Sequence, residues 1–578
     1  MKNGVDAAGI GTHRNKVRSK QWRPVIMLAF LWSLTLSTRF GLMQAATIQA
    51  KSPSLGDVRT AVQSARDGDT VTVPAATETW TTSLEITKNI TLQGAGPGLT
   101  VIIDAVPEAP RSEGGSKQPS QGAVSGLHHS SPANGRSWAP GIGARRPNPL
   151  IFINLARDLP FRLTGFTFKG ASNDVENAAP WRARIRLTGK SHAFRVDHCT
   201  FDSLHAVNVS INGFLWGVID HCQFNLARVQ PMQIYHTSWN GADQGNGSWA
   251  DDSYWGSGKF VFIEDNVFDN PQGFKRSIDG YEGARFVVRH NQFHNADVSA
   301  HGTEGQGRGA RAIEEYNNVY RNDQRIAAAQ IRSGCIITHD NRWTNVTRGH
   351  VLQVYRQFQN SPHWGWSNGQ NPYDDNALNS DQGYWETGKH TGPNGATVLS
   401  DSTKNWTPNQ WYQPGATYII RNITAEARAR NNREKIQSFA ISNTSNAITC
   451  SAMTVSGKLL SFNTGDTYQI WKVVHSLDQP GLGKGDLLTG LPGRPAQWPN
   501  QVSEPCYSWN NTQDGKPVNL SSTEPSIKEG RDFFNETPKP GYTPFTYPHP
   551  LVSGALVPTT KTAEKQRESK EATSSLNN

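Results

Sequence analysis

The sequence predicts an all-β protein wound as a parallel β-helix, and three observations carry that prediction. A six-residue segment recurs: VDHCTF (196–201), IDHCQF (219–224), IEDNVF (263–268), VRHNQF (288–293), EYNNVY (315–320) and THDNRW (338–343). Its fourth position is Cys199, Cys222, Asn266, Asn291, Asn318 or Asn341, and two residues later stands Phe201, Phe224, Phe268, Phe293, Tyr320 or Trp343. Successive segments are 23, 44, 25, 27 and 23 residues apart, the period of a solenoid with one repeat per turn. The 44 reads as two coils, one disrupted by an insertion. Finally, the 578 residues include 53 glycines, and mean hydropathy is −0.58. That balance favours short strands and many turns over long helices.

The repeat has a physical reading. Aromatics at equivalent positions stack inside the coil. Asn at a recurrent turn bonds the same turn of the next coil, which satisfies amides that a bend would bury unpaired. Cys199 and Cys222 occupy the Asn position and read as small buried hydrophobes. Five cysteines, an odd number, do not suggest a disulfide framework.

Taken in order, residues 1–46 read as an export signal or a retained N-terminal anchor. A basic stretch precedes the apolar run VIMLAFLWSLTLS (25–37), and MQAA (43–46) offers small residues for cleavage. The apolar run is short for a membrane-spanning helix. Seven basic residues against one acid there account for six of the nine net positive charges. The remainder is only mildly basic, so nucleic acid is not an expected partner. In 57–104, Val58, Ala61, Val62 and Ala65 line one helical face, and short β-branched runs follow, as suits an end-cap on a coiled sheet. Residues 105–148 are Pro/Gly/Ser-rich and read as a flexible loop inside a β-helix spanning 47–393. Two Trp-rich stretches, 237–258 and 357–388, exceed simple connectors. Residues 394–472 read as a small inserted β domain, 473–552 as a part packing on the helix, and 553–578 as a disordered tail.

The repeats resemble the pectin-lyase-like superfamily of right-handed parallel β-helices. VDHCTF and IDHCQF are similar to a segment of pectate lyases, and GARFVVRHNQFHN to large secreted bacterial β-helix proteins. The resemblance covers roughly 55–390 and 472–552 and implies the fold, with carbohydrate cleavage as an expectation. The pectate-lyase motif Arg-x-Pro-x-x-Arg-x-Gly aligns with RIAAAQIRSG at its end, placing Arg332 and Gly334. Its base position holds Ala327, its proline position Ala329, and the nearest arginine is Arg325. Polygalacturonase signatures are missing apart from an isolated Asp-Asp at 251–252.

Alternation along a strand predicts an outward column two residues before each Asn or Cys: Asp197, Asp220, Glu264, Arg289, Tyr316 and His339. Stacked carboxylates Asp197, Asp220 and Glu264 would bind a cation, Ca²⁺ by its preference for oxygen, or hold a proton. The resemblance implies calcium at Asp197. Arg289, with Arg285 and His290, would hold a uronate carboxylate or a sulfate. The stretch AHGTEGQGRGARAIEEYNN (300–318) breaks the repeat and brings His301, Glu304, Arg308, Arg311 and Glu314, with Asp279 and Glu282 from the previous turn. A His or Tyr beside Arg suits proton abstraction next to a uronate carboxylate: His301 or Tyr316 as the proton-transfer group, Arg289 and Arg311 as clamps. Paired carboxylates, Asp279 or Glu304 with Glu314, would suit glycoside hydrolysis. Trp239, Trp249, Trp255, Trp364, Trp366 and Trp385 would stack on sugar rings, and Arg285, Arg308, Arg325 and Arg332 would bind substrate.

The expectation is a monomeric, secreted, periplasmic or cell-surface protein acting on a polysaccharide, by β-elimination of a uronate-containing chain. A glycoside hydrolase and a non-catalytic glycan-binding or adhesin-like protein are the alternatives. Stable membrane association would require the N-terminal segment to be retained.

Overall fold

The computed structural model describes residues 45–107, 149–171, 183–202, 207–225, 230–241, 245–302 except 272 and 274, 308–353, 384–412, 417–428, 436–451, 460–473, 478–484, 501–522 and 527–554. All of the proposed export segment but residues 45 and 46, together with Glu304, Trp364, Trp366, most of the 105–148 loop and nearly all of the proposed tail, lies outside them. Among the described residues no helix is long and apolar enough to cross a membrane.

The chain winds a parallel β-helix with three stacks of strands. The first holds Phe161–Thr164, Val261–Glu264, Arg285–Arg289, Ala312–Tyr316 and Cys335–His339. The second holds Thr200–Asp202, Gln223–Asn225, Val267–Asp269 and Gln292–His294. The third holds Met232–Tyr235, Lys275–Tyr281 and Ala296–Ala300. Two long strands, Ile185–Asp197 and Val209–Asp220, run from the third stack into the first. Pairing between coils is parallel throughout: Asp197 lies beside Asp220, Asp220 beside Glu264, and Glu264 beside Arg289. The helix Leu55–Ser64 closes the N-terminal end, with Val58, Ala61 and Val62 buried and the Ser54 hydroxyl accepting from the Asp57 amide.

The turn between the first and second stacks explains the repeat. His198, His221, Asp265, His290, Asn317, Asp340 and Asn510 all sit at φ of 48–57°, a left-handed bend that His, Asp and Asn adopt more readily than most residues. The next residue turns inward. Asn266, Asn291, Asn318, Asn341 and Asn511 form a ladder in which each side-chain oxygen accepts the backbone N–H and the side-chain N–H of the Asn before it. Cys222 N donates to Asn266 to start it, and Cys199 and Cys222 are buried free thiols. Phe168, Phe201, Phe224, Phe268, Phe293, Tyr320 and Trp343 stack in one column with neighbouring centroids 3.7–5.5 Å apart. Asn291→Ala removes an acceptor for two N–H groups of Asn266, a cost of about 1–3 kcal/mol. Urea unfolding of the variant against the parent checks this.

Two readings of chain length change. The 44-residue interval is one coil, not two: Phe224 stacks directly on Phe268 and Cys222 bonds Asn266. The extra length is the excursion 237–259, which leaves and re-enters the same turn. A seventh repeat was also missed. Cys506–Trp509 pairs with Cys335–His339, and Asn511 bonds Asn341 across 170 residues. Gln513 stands where the aromatic should be, which hid the segment. Between these coils lies a six-stranded antiparallel sheet, whose strands run from Glu386–Lys389 to Thr467–Val473. It has its own core around Leu399, Trp406, Phe462, Tyr468 and Ile470.

Candidate active site

The outward column of the first stack is not an open groove. Asp197, Asp220, Glu264, Arg289 and Glu314 are fully buried and Tyr316 nearly so. The segment 542–552 lies across them. Arg289 donates to the Phe545 and Thr546 carbonyls, Arg195 to those of Leu551 and Val552, His549 N donates to Glu264, and the Tyr542 hydroxyl donates to Glu314. A Pro-rich strap with carbonyls to spare satisfies arginines that would otherwise be buried unpaired.

Three carboxylates of this column are claimed by arginine. Arg162 makes two bonds to Asp197, of 2.7 and 2.6 Å, Arg195 two to Asp220, of 2.8 and 2.7 Å, and Arg289 one of 2.6 Å to Glu264. Burial pushes the Asp197 carboxyl up, but Arg162 and Arg195 hold it below its usual value. This donor set does not fit Ca²⁺: the oxygens face guanidinium groups and the two Asp carboxylates are taken bidentately. Glu264, in turn, is pushed up by burial.

Glu314 carries a consequence of its own. Its carboxyl accepts from Gly256 N and the Tyr542 hydroxyl, and burial pushes it up to about 7. A folded-state value above the ordinary 4.5 means that folding takes up a proton between them, so stability falls as pH rises from 4.5 to 7. Glu314→Gln, which imitates the protonated acid, removes that slope. Thermal midpoints at pH 5 and pH 7.5 for parent and variant measure it.

The arginines expected to hold substrate anchor a loop instead. Arg285 donates to Ser248 Oγ and the Ser253 carbonyl and lies over the rings of Trp239 and Tyr254. Burial, with Arg311 nearby, lowers it to about 9. Arg308 pairs with Asp478 and Arg311 with Glu504, both over Trp249. Trp239 and Trp249 are buried beneath the excursion and offer no face to a sugar, and half-buried Trp255 donates to Glu504. Trp385 is exposed, on the antiparallel sheet's side of the chain. Arg325 is exposed just before the strand Ile326–Ala327. The proposed Asp279–Glu314 pair is split, since Asp279 is on the third stack and Glu314 on the first.

The third stack holds the site. Its outward residues fall into two rows. Gln233 lies beside Asp279 and Asp279 beside Ser299, while Tyr235 lies beside Tyr281. His301 follows the strand Ala296–Ala300, its amide bonded to the Gly280 carbonyl, and extends the tyrosine row. Arg332 comes one coil further, its amide bonded to the Ala300 carbonyl. Gly280 turns its missing side chain inward, where a Cβ would meet Phe286 at 2.6 Å. The close core there keeps Asp279 and Tyr281, on either side, directed outward.

His301 Nδ1 is 2.8 Å from Asp279 Oδ2. The same oxygen accepts from Gln230 Nε2 at 2.6 Å and from the Tyr281 hydroxyl at 3.1 Å. The Tyr281 ring stacks on His301 at 4.0 Å and on Tyr235 at 4.8 Å. Asp279 is buried, His301 is 18% exposed, and Tyr235 and Tyr281 are partly exposed. Burial, then the Asp279 charge, drives the Tyr281 hydroxyl well above its ordinary value, so it keeps its proton. The approach to Asp279 is a charge contact and not a hydrogen bond, since His301 Nδ1 has no hydrogen-bond partner among the described residues; an imidazole beside a buried carboxylate is still a candidate proton-transfer group.

No family model matches the chain, and no curated protein matches it. Among solved structures the chain is similar to the catalytic domain of a GH87 alpha-1,3-glucanase in complex with tetrasaccharides, at 11% identity and a TM-score of 0.22. That match covers 53% of this chain and 60% of the glucanase chain, so it spans less than two thirds of that structure.

Of the predicted site residues, the fold brings Asp279, His301 and Arg332 to one face. Sequence reasoning missed Gln230, Gln233, Tyr235 and Tyr281. A signal existed: MQIY (232–235) and IDGY (278–281) share a polar–x–Tyr pattern one coil apart.

Proposed function

We propose that the protein is a carbohydrate-active enzyme cleaving a uronate-containing polysaccharide by β-elimination on the face that carries Asp279 and His301. The observation that carries this reading is the 2.8 Å charge contact of His301 with a buried carboxylate, beside the stacked rings of Tyr281 and Tyr235 at a partly open face. In this reading His301 Nε2 takes the C5 proton, and the C4–O bond breaks as the C4–C5 double bond forms. Arg332 steadies the uronate carboxylate and its developing charge. Tyr281, stacked on the imidazole and holding its proton, gives it to the leaving oxygen. Asp279's neighbours among the described residues include Gln230, Tyr281 and His301, groups that suit proton transfer in an elimination. Export to the cell surface or beyond fits such a substrate.

The test is incubation with a panel of uronic-acid and neutral polysaccharides. Ultraviolet-absorbing unsaturated ends are expected on a uronate chain. New reducing ends without absorbance would transfer the protein to the hydrolases, and binding without either product would end the enzymatic reading.

A further inference from the structure

Away from the third stack, the bend between the first and second stacks carries two histidines with no role in the elimination. His198 and His221 hold the same left-handed position in successive coils, at φ of 48° and 52°. Their rings are parallel, with centroids 5.1 Å apart and 3° between the planes. His198 Nδ1 is hydrogen-bonded to Asp197 Oδ2 and His221 Nδ1 to Asp220 Oδ2, both at 2.8 Å. Each aspartate also takes two bonds from an arginine, Arg162 or Arg195, so each is a carboxylate that accepts. Each Nδ1 therefore donates, and Nε2 of each neutral ring keeps its lone pair. The two side chains are 52% and 44% exposed, and no described residue bonds either Nε2. The coil before has Gly165 at this bend, which leaves the outer face of His198 uncovered. In the coils after, Tyr547 engages the row: its hydroxyl donates to Asp265 at 2.7 Å and its ring stacks on His290 at 3.7 Å.

We infer that His198 and His221 together bind one divalent transition-metal ion of the kind that prefers imidazole nitrogen, Cu²⁺ most tightly. A carboxylate on Nδ1–H is the partner that metal-bound histidines characteristically have, since it orients the ring and makes Nε2 a better electron-pair donor. Here that partner exists twice, one coil apart, and the charges of Arg162 and Arg195 behind the pair are balanced by the aspartates they hold. Two metal–nitrogen bonds of about 2.1 Å span at most about 4.2 Å, so the Nε2 edges must lean together by about 1 Å. Exposed rings can do this, because Nδ1 lies next to the Cγ pivot and moves less than Nε2. Among the described residues no group of three His, Cys, Asp or Glu could hold a metal ion, so water completes the coordination shell. The bound ion joins two neighbouring coils from outside.

The experiment is titration of the full chain with Cu²⁺ at neutral pH in a buffer free of chelating groups, followed by electron paramagnetic resonance. The parent is expected to show a component with two equatorial imidazole nitrogens. His198→Gln and His221→Gln are each expected to weaken that component by at least the about 10–100-fold that loss of a ligand's hydrogen-bond partner costs. Circular dichroism checks that both variants keep the fold. His290→Gln, at the same bend but stacked on Tyr547, is expected to bind as the parent does. A parent without the two-imidazole component, or the same component at undiminished affinity in both His198→Gln and His221→Gln, would overturn the inference.

Discussion

His301→Gln is expected to lower kcat for elimination by about 10²–10⁴-fold, the usual contribution of a positioned general base, with KM little changed. Glutamine fills much of the imidazole's volume and still reaches Asp279, so the fold should persist. What disappears is the unprotonated nitrogen on the open side. Asp279→Asn should cost a similar factor for a different reason. The amide removes the negative charge 2.8 Å from the ring that favours the imidazolium formed when His301 takes the proton. Steady-state rates read from the unsaturated product, together with unchanged circular dichroism spectra, check both variants. Glu314→Gln, on the strap-covered face, should leave kcat within a few-fold of the parent.

Glu315→Ala is expected to destabilise the β-helix by about 3–5 kcal/mol, because it strands a buried cation. Glu315 points into the lumen, fully buried, and accepts from His350 Nε2 and Thr338 Oγ1, both at 2.8 Å, and from the Tyr320 hydroxyl. His350 Nδ1 faces the Ala329 carbonyl at 3.2 Å. With an acceptor at each nitrogen, the ring is set up as an imidazolium. Burial opposes both charges, yet each prevails through the other: the Glu315 value is lowered and the His350 value raised. The pH dependence follows from those signs. The Glu315 contribution is complete above the ordinary 4.5 and fades as pH falls through its depressed value. The His350 contribution is complete below the ordinary 6.5 and fades as pH rises through its raised value. The stability gap between the parent and His350→Leu should therefore be widest between pH 4.5 and 6.5 and narrow on both sides. Urea unfolding across pH measures it.

The residues that make the fold legible are those at which each coil repeats the same physical problem. An αL turn followed by an inward Asn recurs because each coil must bend there, and the stacked ring two residues on recurs because each coil must fill the lumen. The candidate site was only half legible. His301 and Asp279 stood out because they depart from the repeat. Gln233, Tyr235 and Tyr281 did not, since the third stack has no marker residue and the connections leading into it vary in length. Register there emerges only from the pairing of coils. The outward column misled for a related reason. Alternation correctly gave the direction of Asp197, Glu264 and Arg289, but direction does not determine exposure. A strap more than 230 residues away in sequence covers them, and arginines one coil before or after claim the carboxylates. The tryptophans misled in the same way: Trp239 and Trp249 pack beneath their own loop, held by Arg285, Arg308 and Arg311.

The central claim is that the third-stack face, through His301, carries out elimination on a uronate chain. The most direct measurement is ultraviolet absorbance of unsaturated ends from whichever uronate polysaccharide the panel selects, run in parallel with the parent, His301→Gln and Glu314→Gln. The account predicts steady absorbance growth with the parent and Glu314→Gln and almost none with His301→Gln. Undiminished growth with His301→Gln, or chain cleavage by the parent without absorbance, would contradict it.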